Sequence, residues 1–420
     1  MLNGRSANLP HETSADSSLL EAATTLVAQE GFAGLTLRPL AGALGVSVSS
    51  LSNRYGSREG IVNQVLREAA AEDRHDLAAW AHLGDQIQTG AGRTLADLAE
   101  TLVDHLATTR RDRSVLFLEC VQASGWDAHV QDALADWRRV RADVWNGFAR
   151  RAGVPEDVIE SGLVEGYFVD ELAYSISLTR LPAYRATRRL CLRRLFTNPL
   201  PEAGRGDTAS SEAVLGEALY DLLGEDAAAP SVVHGVALPQ DWRLTAARCC
   251  AVLMTRQGVA GVTHRSVAAL ADLKPTTIAY RYPTQEDLVI AGLEYIITNL
   301  LTSVGSVEAR KSGELVAPDP MEGLDVGRAT FAVAIAAIRI TGLVPCAADM
   351  RRRRGINLLR LLQSRSSDYA QMDRLAAQTL AVGMIGAAMF TPISEASRNS
   401  LERLVEPARR WMVSVAARTG

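Results

Sequence analysis

The strongest constraint in the sequence lies between Thr36 and Glu59, TLRPLAGALGVSVSSLSNRYGSRE. Thr36 is a natural N-cap, and Pro39 falls in the first helical turn, where a missing N–H is tolerated. Leu37, Leu40, Ala41 and Leu44 then recur at helical spacing. Gly45 follows as a stop. Val46 is expected to tuck inward, Ser47 to cap the next helix, and Leu51 and Tyr55, four apart, to anchor that helix to a core. This leaves Val48, Ser49, Ser50, Ser52 and Asn53 facing outward. Two short helices joined by a tight turn, the second offering small polar side chains, are what a chain needs to lay a helix in the major groove of double-stranded DNA.

The pattern occurs twice. A shift of 227 residues lays Thr263 to Glu286, THRSVAALADLKPTTIAYRYPTQE, over the first copy without a gap. Gly31, Ala33, Gly34, Thr36, Arg38, Ala41, Arg54, Tyr55, Glu59 and Val62 meet identical residues at Gly258, Ala260, Gly261, Thr263, Arg265, Ala268, Arg281, Tyr282, Glu286 and Val289. Ten identities in 32 ungapped positions, with Leu51 facing Ile278 and Leu40 facing Val267, point to a duplication.

With these residues in view, each copy resembles the N-terminal domain of a tetracycline-repressor (TetR) family transcriptional regulator. The resemblance rests on three places in each copy. The first helix ends in Glu30, Gly31, Phe32 and in Gln257, Gly258, Val259. The second begins at Thr36, Leu37, Arg38 and at Thr263, His264, Arg265. After the recognition helix come Tyr55, Gly56, Ser57, Arg58, Glu59, Gly60, Ile61 and Tyr282, Pro283, Thr284, Gln285, Glu286, Asp287, Leu288. It implies an all-α protein of two tandem TetR-like units, each a helix-turn-helix domain followed by a helical ligand-binding and dimerisation domain. The residues it carries over as DNA contacts are Thr36, Arg38, Ser47, Val48, Ser49, Ser50, Asn53, Arg54 and Arg58, with Thr263, Arg265, Lys274, Thr276, Thr277, Tyr280 and Arg281 in the second copy. Arg54 and Arg281 are assigned to phosphates or helix ends. Departures concern single phosphate contacts. Ser52 and Ala279 stand where the family usually has Tyr, Asp272 replaces the turn glycine, and uncharged Gln285 stands where the first copy has Arg58.

Four hundred and twenty residues exceed one compact core. The 47% apolar content gives each half a core to bury, while aromatics are few and no alternating run stands out, which favours helices. A formal charge of −4 excludes a polycation, so DNA binding has to be local. Leu19 to Ile61 carries three Arg and three Glu, whereas Ala246 to Leu288 carries five basic and three acidic residues, and therefore gains more from counterion release. Cys120, Cys191, Cys249, Cys250 and Cys346 have no metal-ligand spacing and read as reduced core residues; a redox-sensing thiol is the other reading. No signal segment or membrane span is legible, which points to the cytoplasm.

Residues 1–17 read as a disordered arm whose Arg5 is either a frayed end or a minor-groove contact. Ser18 and Glu21 form a capping-box pair for helix 1, which buries Leu19, Ala23, Leu26 and Val27. The first helix-turn-helix domain spans 18–66 and the first effector and dimerisation domain 67–198. Within the latter, helices are expected over Thr94 to Thr109, Ser114 to Ala123, Ala128 to Arg151, Pro155 to Leu178 and Pro182 to Phe196. Residues 199–242, rich in Pro, Gly and acid around Glu212 to Leu223, read as a linker with a short helix. The second helix-turn-helix domain spans 243–293 and the second helical domain 294–420. There a connecting helix Glu286 to Leu301, a loop Ser303 to Pro320 and a helix Met321 to Arg339 lead to a closing pair, Met372 to Phe390 and Ser394 to Arg418, where small residues permit close packing. Arg351 to Arg354 reads as a solvated helix face, with a phosphate contact as the other reading.

In the resembled family two subunits pair through their last two helices. The expectation here is an intramolecular pseudo-dimer joined by Pro155 to Leu178, Pro182 to Phe196 and the closing pair, with further homodimerisation left open. Unlike reading helices imply a double-stranded operator with two unlike half-sites, bound by a repressor that a small-molecule effector releases. Residues 67–198 hold eleven aromatics against five in 291–420, so the effector pocket is placed among Trp126, Trp145, Phe148, Tyr167, Asp170 and Tyr174. Ordinary core is the competing reading of each ring, and a water-facing helix edge that of Asp170 and Glu171. No nucleophile elbow, metal cluster, phosphate loop or paired carboxylates with a base are present, so neither an enzyme nor a cofactor or metal is expected. The remaining alternative is a regulator with one degenerate helix-turn-helix, the first, serving protein–protein assembly.

Overall fold

The computed structural model describes residues 12–197, 211–226, 241–311, 324–365 and 372–391, and every regular element among them is helical. The first half contains α1 (Glu12–Glu30), α2 (Leu37–Leu44), α3 (Val48–Tyr55), α4 (Arg58–Gln86), α5 (Gly92–Thr108), α6 (Arg111–Ala123), α7 (Ala128–Ala152), α8 (Glu156–Glu160), α9 (Leu163–Ser177) and α10 (Pro182–Phe196). α11 (Ser211–Asp226) stands between the halves. The second half contains α12 (Trp242–Gln257), α13 (His264–Ala271), α14 (Pro275–Arg281), α15 (Gln285–Lys311), α16 (Val326–Ala336), α17 (Val344–Arg353), α18 (Ile356–Arg365) and α19 (Arg374–Ala388). Short 3-10 turns at Phe32–Gly34 and Val259–Gly261 join α1 to α2 and α12 to α13. Arg5 and the expected helix Ser394 to Arg418 lie outside the described residues.

In the first half the long α4 lies along α7, and α5 lies against α10. The buried Asp73 of α4 is the polar centre of that packing. It accepts from Trp137 Nε1 and Arg141 Nε of α7, both at 2.6 Å, and pairs with Arg113 Nε of α6 at 2.7 Å. A buried carboxylate is tolerable only when surrounded in this way by donors. α6 reaches α1 and its 3-10 turn; α16 does the same to α12 and its turn, and α6 and α16 meet. The constant offset between the copies ends there, because the interval from Arg111 to Val326 is shorter than that between the two helix-turn-helices.

The halves join along α9 and α19. Gly166 of α9 and Gly383 and Gly386 of α19 bring the two backbones together: a Cβ on Gly383 would lie 2.8 Å from the Leu163 carbonyl, and one on Gly166 would strike the backbone of Gly383 and Ala387. The close packing expected from the small residues of the closing segment is therefore made with the first half. Two buried ion pairs cross the seam, Arg351 Nη2 to Glu171 Oε2 at 2.7 Å and Arg354 Nη2 to Asp170 Oδ1 at 3.2 Å. Arg351 and Glu171 are both 0% exposed, which corrects the reading of Arg351 to Arg354 as a solvated face and of Glu171 as a water-facing carboxylate. Periodicity cannot show that a charge on one helix has its partner on another.

Other expectations also give way. Helix 1 starts at Glu12, six residues before the Ser18 and Glu21 pair, so that pair lies inside the helix and residues 12–17 are not a disordered arm. Gly162, at φ 80°, separates α8 from α9, because a left-handed residue ends a helix, and Pro155 to Leu178 is not continuous. Residues 303–311 continue α15 where a loop was expected. α11 is no free linker segment: Tyr220 and Leu223 are fully buried, and Tyr220 Oη donates to Gln378 Oε1 of α19 at 2.6 Å. Gln378 Nε2 in turn donates to the Arg351 carbonyl at 2.8 Å.

Candidate nucleic-acid interface

Both helix-turn-helix stretches are built by the same backbone hydrogen bonds. Gly34 N donates to Gly31 O at 3.0 Å and Gly261 N to Gly258 O at 3.2 Å, closing each 3-10 turn. Val46 N donates to Ala41 O at 3.0 Å and Leu273 N to Ala268 O at 2.9 Å, closing each tight turn. Gly45 takes φ 66° at that turn, and Asp272, its counterpart, takes φ 54°, the one non-glycine with positive φ among the described residues. Asp visits this region more readily than most side chains because its short polar group can hydrogen-bond to the nearby backbone.

The caps differ for a definite reason. Thr263 Oγ1 accepts from Ser266 N at 3.1 Å, and Ser266 Oγ accepts from Thr263 N at 2.9 Å, a complete capping box. Thr36 has the same extended backbone but makes no side-chain cap, because the residue three places on is Pro39 and has no N–H to give. At the second helix the roles reverse. Ser47 Oγ accepts from Ser50 N at 3.1 Å, whereas Lys274 precedes Pro275 and makes no cap bond.

Leu51 and Ile278, 3% and 0% exposed, pin α3 and α14 to their cores. Arg54 lies 5.2 Å from the centroid of the Tyr55 ring and Arg281 5.5 Å from that of Tyr282, so the two guanidiniums stand at the same end of α3 and α14. Burial pushes the Tyr282 hydroxyl above its ordinary value against the pull of Arg281. The next helix is braced in each copy by a different side chain on the same carbonyl. Arg58 Nε donates to Leu35 O at 2.9 Å, and Gln285 Nε2 donates to Val262 O at 3.2 Å. Arg58 also lies over the Phe32 ring at 5.0 Å, so this cation is largely taken up inside its own domain. Ser57 caps α4 by accepting from Gly60 N at 3.4 Å, and its hydrogen bond holds the exposed Glu59 carboxyl below the ordinary carboxylate value.

The outward surface carries Thr36, Arg38, Ser47, Val48, Ser49, Ser50, Ser52, Asn53 and Arg54 in the first copy, all exposed. In the second, Thr263, Arg265, Lys274, Thr276, Tyr280 and Arg281 are exposed, while Thr277 is half-buried. Tyr280 is 92% exposed, a large aromatic that nothing among the described residues covers. Val46 is 43% exposed, so it does not tuck inward; its counterpart Leu273, a longer side chain, does pack on the core.

The six residues expected to bind an effector are not gathered in one place. Trp145 stacks on Phe168 with centroids 3.8 Å apart and meets Phe148 edge-on, and the cavity beside Trp145 and Phe168 measures about 10 Å³, room for one water molecule. Asp170 and Tyr174 are fully buried on Arg354, and Tyr167 is fully buried in the same helix. Burial pushes the Asp170 carboxyl up to about 6 although Arg354 pulls it down; burial alone would also raise Glu171, but Arg351 and a hydrogen bond from Tyr184 hold it below the ordinary range. Trp126 is separate, 41% exposed at a cleft of about 260 Å³ between the two helix-turn-helix domains. That cleft unites it with Gln122 and Arg339, residues from opposite halves that no sequence spacing connects. No group of metal-ligating side chains is present among the described residues, and no described helix is long and apolar enough to cross a membrane. All five cysteines are buried and unbridged.

Residues 19–65 match the family model described as bacterial regulatory proteins, tetR family. The matched range runs from α1 into α4 and takes in the whole first helix-turn-helix; residues 263–286 lie outside it. No curated protein matches the chain. The matched domain is the DNA-binding part of such regulators and supports a DNA-binding transcriptional regulator.

Proposed function

We propose that the chain is a repressor that reads an asymmetric operator through two unlike helix-turn-helix units, carried by tandem TetR-like units folded as an intramolecular pseudo-dimer, and that a small-molecule effector releases it. The observation that carries this reading is the repeated set of turn-closing hydrogen bonds, which gives residues 263–286 the same build as the matched domain. The seam of α9 and α19 and the contact of α6 with α16 support the pseudo-dimer, since each pairs one element from either half. Unlike surfaces support unlike half-sites: Val48, Ser49, Ser50 and Asn53 offer one set of groups to base edges, Lys274, Thr276 and Tyr280 another. Such a regulator works where the chromosome is, in the cytoplasm of a bacterial cell, alone or as a further homodimer.

A second reading has support in one place. The first copy has no net charge and exposes Val46 and Val48, features that also suit a protein-binding surface. One experiment separates the two. Duplexes selected by the full chain from a random pool are footprinted with the wild type and with Lys274→Ala and Tyr280→Ala. The proposed function expects two unlike half-sites about one helical turn apart, with protection lost over one of them. Equal loss over both halves contradicts it, and a first half-site that is never protected favours the second reading.

A further inference from the structure

The cleft between the two helix-turn-helix domains is lined by residues of both halves. Its walls are the repeated 3-10 turns, represented by Phe32 and Val259, and its floor comes from α6 and α16. Gly31 and Gly258 stand at matching positions, both with positive φ. A Cβ on Gly31 would lie 3.0 Å from Arg339 Nη2, and one on Gly258 would lie 3.6 Å from Trp126 Cη2. Opposite them, Glu119 is already engaged, accepting from Phe32 N at 3.1 Å and pairing with Arg339 Nη2 at 2.5 Å. Gln122 is not. It is 4% exposed, it lines the cleft, and neither its Oε1 nor its Nε2 has a partner among the described residues. Arg339 Nη1 is likewise without one.

A buried amide with both ends unsatisfied is rare and is destabilising unless something else completes it. Its oxygen and NH₂ lie side by side, so the group that completes it best offers a donor next to an acceptor, as when Gln meets the edge of a base. The indole of Trp126 and the ring of Phe32 supply apolar cover. At about 260 Å³ the space lies just under the range of about 300–1,000 Å³ usual for drug-sized ligands, which limits the occupant to one or two rings. We infer that this cleft binds a small, flat, uncharged molecule bearing a carboxamide, lactam or nucleobase-like edge, held through Gln122 and covered by Trp126. Because its two walls begin the two helix-turn-helices, occupancy bears directly on how those domains are set relative to each other. That consequence for DNA rests on the proposed function; occupancy itself does not.

The test is calorimetric titration of the full chain with benzamide, nicotinamide and adenine, with benzoate and toluene as probes that lack the paired edge. At least one amide or nucleobase probe is expected to bind at least tenfold more tightly than both of those. Binding is expected to change tryptophan emission in the wild type but not in Trp126→Phe. Gln122→Leu and Gln122→Glu, the second keeping size and polarity while losing the donor, should each weaken binding at least tenfold. Equal affinity for toluene, absence of binding by all three amide and nucleobase probes, or unchanged affinity in both Gln122 variants overturns the inference. Operator release is measured separately: binding that depends on Gln122 without release upholds this site and counts against the effector reading of the proposed function.

Discussion

Arg351 reaches across the seam between the halves to place its Nη2 2.7 Å from Glu171 Oε2, in a pair from which water is wholly excluded. Glu171 also accepts from Tyr184 Oη at 2.6 Å, so its lone pairs are well used. Removing one charge strands the other in a place where it cannot be hydrated, whereas removing both leaves an apolar contact. Arg351→Met is therefore expected to destabilise the protein by about 3–5 kcal/mol, and Glu171→Leu combined with Arg351→Met by clearly less. Denaturant unfolding of the two single variants and the double variant checks this through the coupling energy. Additive losses would show that the pair contributes nothing as a pair.

Asp170, next in sequence, gives a pH dependence of the opposite sign from its neighbour. Burial pushes its carboxyl up to about 6, with Arg354 pulling down and Glu171 pushing further up. A carboxyl whose folded value lies above its unfolded value of about 3.9 favours folding in its protonated form. The stabilisation is complete below about pH 3.9 and is lost as the pH rises through about 6, a span worth on the order of 3 kcal/mol. Asp170→Asn keeps an acceptor for Arg354 and does not titrate. The variant should match the wild type near pH 4 and exceed it in stability at pH 7.5. A difference that stays constant across the range would refute the assignment. Glu171, held below its ordinary value, destabilises in the other direction, at low pH, and does so equally in both proteins.

Gly166 faces the α19 backbone at a place where no side chain fits. Gly166→Ala should cost about 1–3 kcal/mol, the usual penalty for forcing packed backbones apart, in spite of the better helix propensity of Ala. Thermal melts of Gly166→Ala beside Gly147→Ala make the comparison, since a Cβ at Gly147 meets nothing within 4 Å. Equal melting temperatures would mean that α9 and α19 do not meet this closely in solution.

Lys274 is exposed at the start of α14 and makes no cap bond there. If it neutralises a phosphate, Lys274→Ala should flatten the plot of log affinity against log salt by about 0.9 on a selected operator. Loss of affinity with an unchanged slope would assign Lys274 to a base edge instead.

The helix-turn-helix was legible because its signals are local. A left-handed Gly45, a Ser47 cap and the Leu40, Ala41, Leu51 spacing each act within a few residues, and Asp272 shows that the turn survives the loss of its glycine. Pairings between distant helices were not legible. Glu171 and Asp170 find their guanidiniums some 180 residues away, and no pattern along one helix reports a partner on another. The same limit hid the shared brace of Arg58 and Gln285, which differ in charge yet reach the same carbonyl. α11 carried its buried face in plain view, Leu219, Tyr220 and Leu223 at helical spacing, but its Pro- and Gly-rich flanks suggested a tether. Aromatic content pointed to a pocket around Trp145 and Phe148, where tight stacking leaves only a water-sized gap. Composition reports how much ring surface there is to bury, not whether a hollow remains once it is buried.

In the two buried ion pairs of the seam, both carboxylates come from one half and both guanidiniums from the other. Two copies of the N-terminal half docking through α9 would set Asp170 and Glu171 against their own duplicates, and two C-terminal halves would do the same with Arg351 and Arg354. Like charges confined without water repel by several kcal/mol. The seam thus discriminates as well as binds: its wiring disfavours homotypic mating.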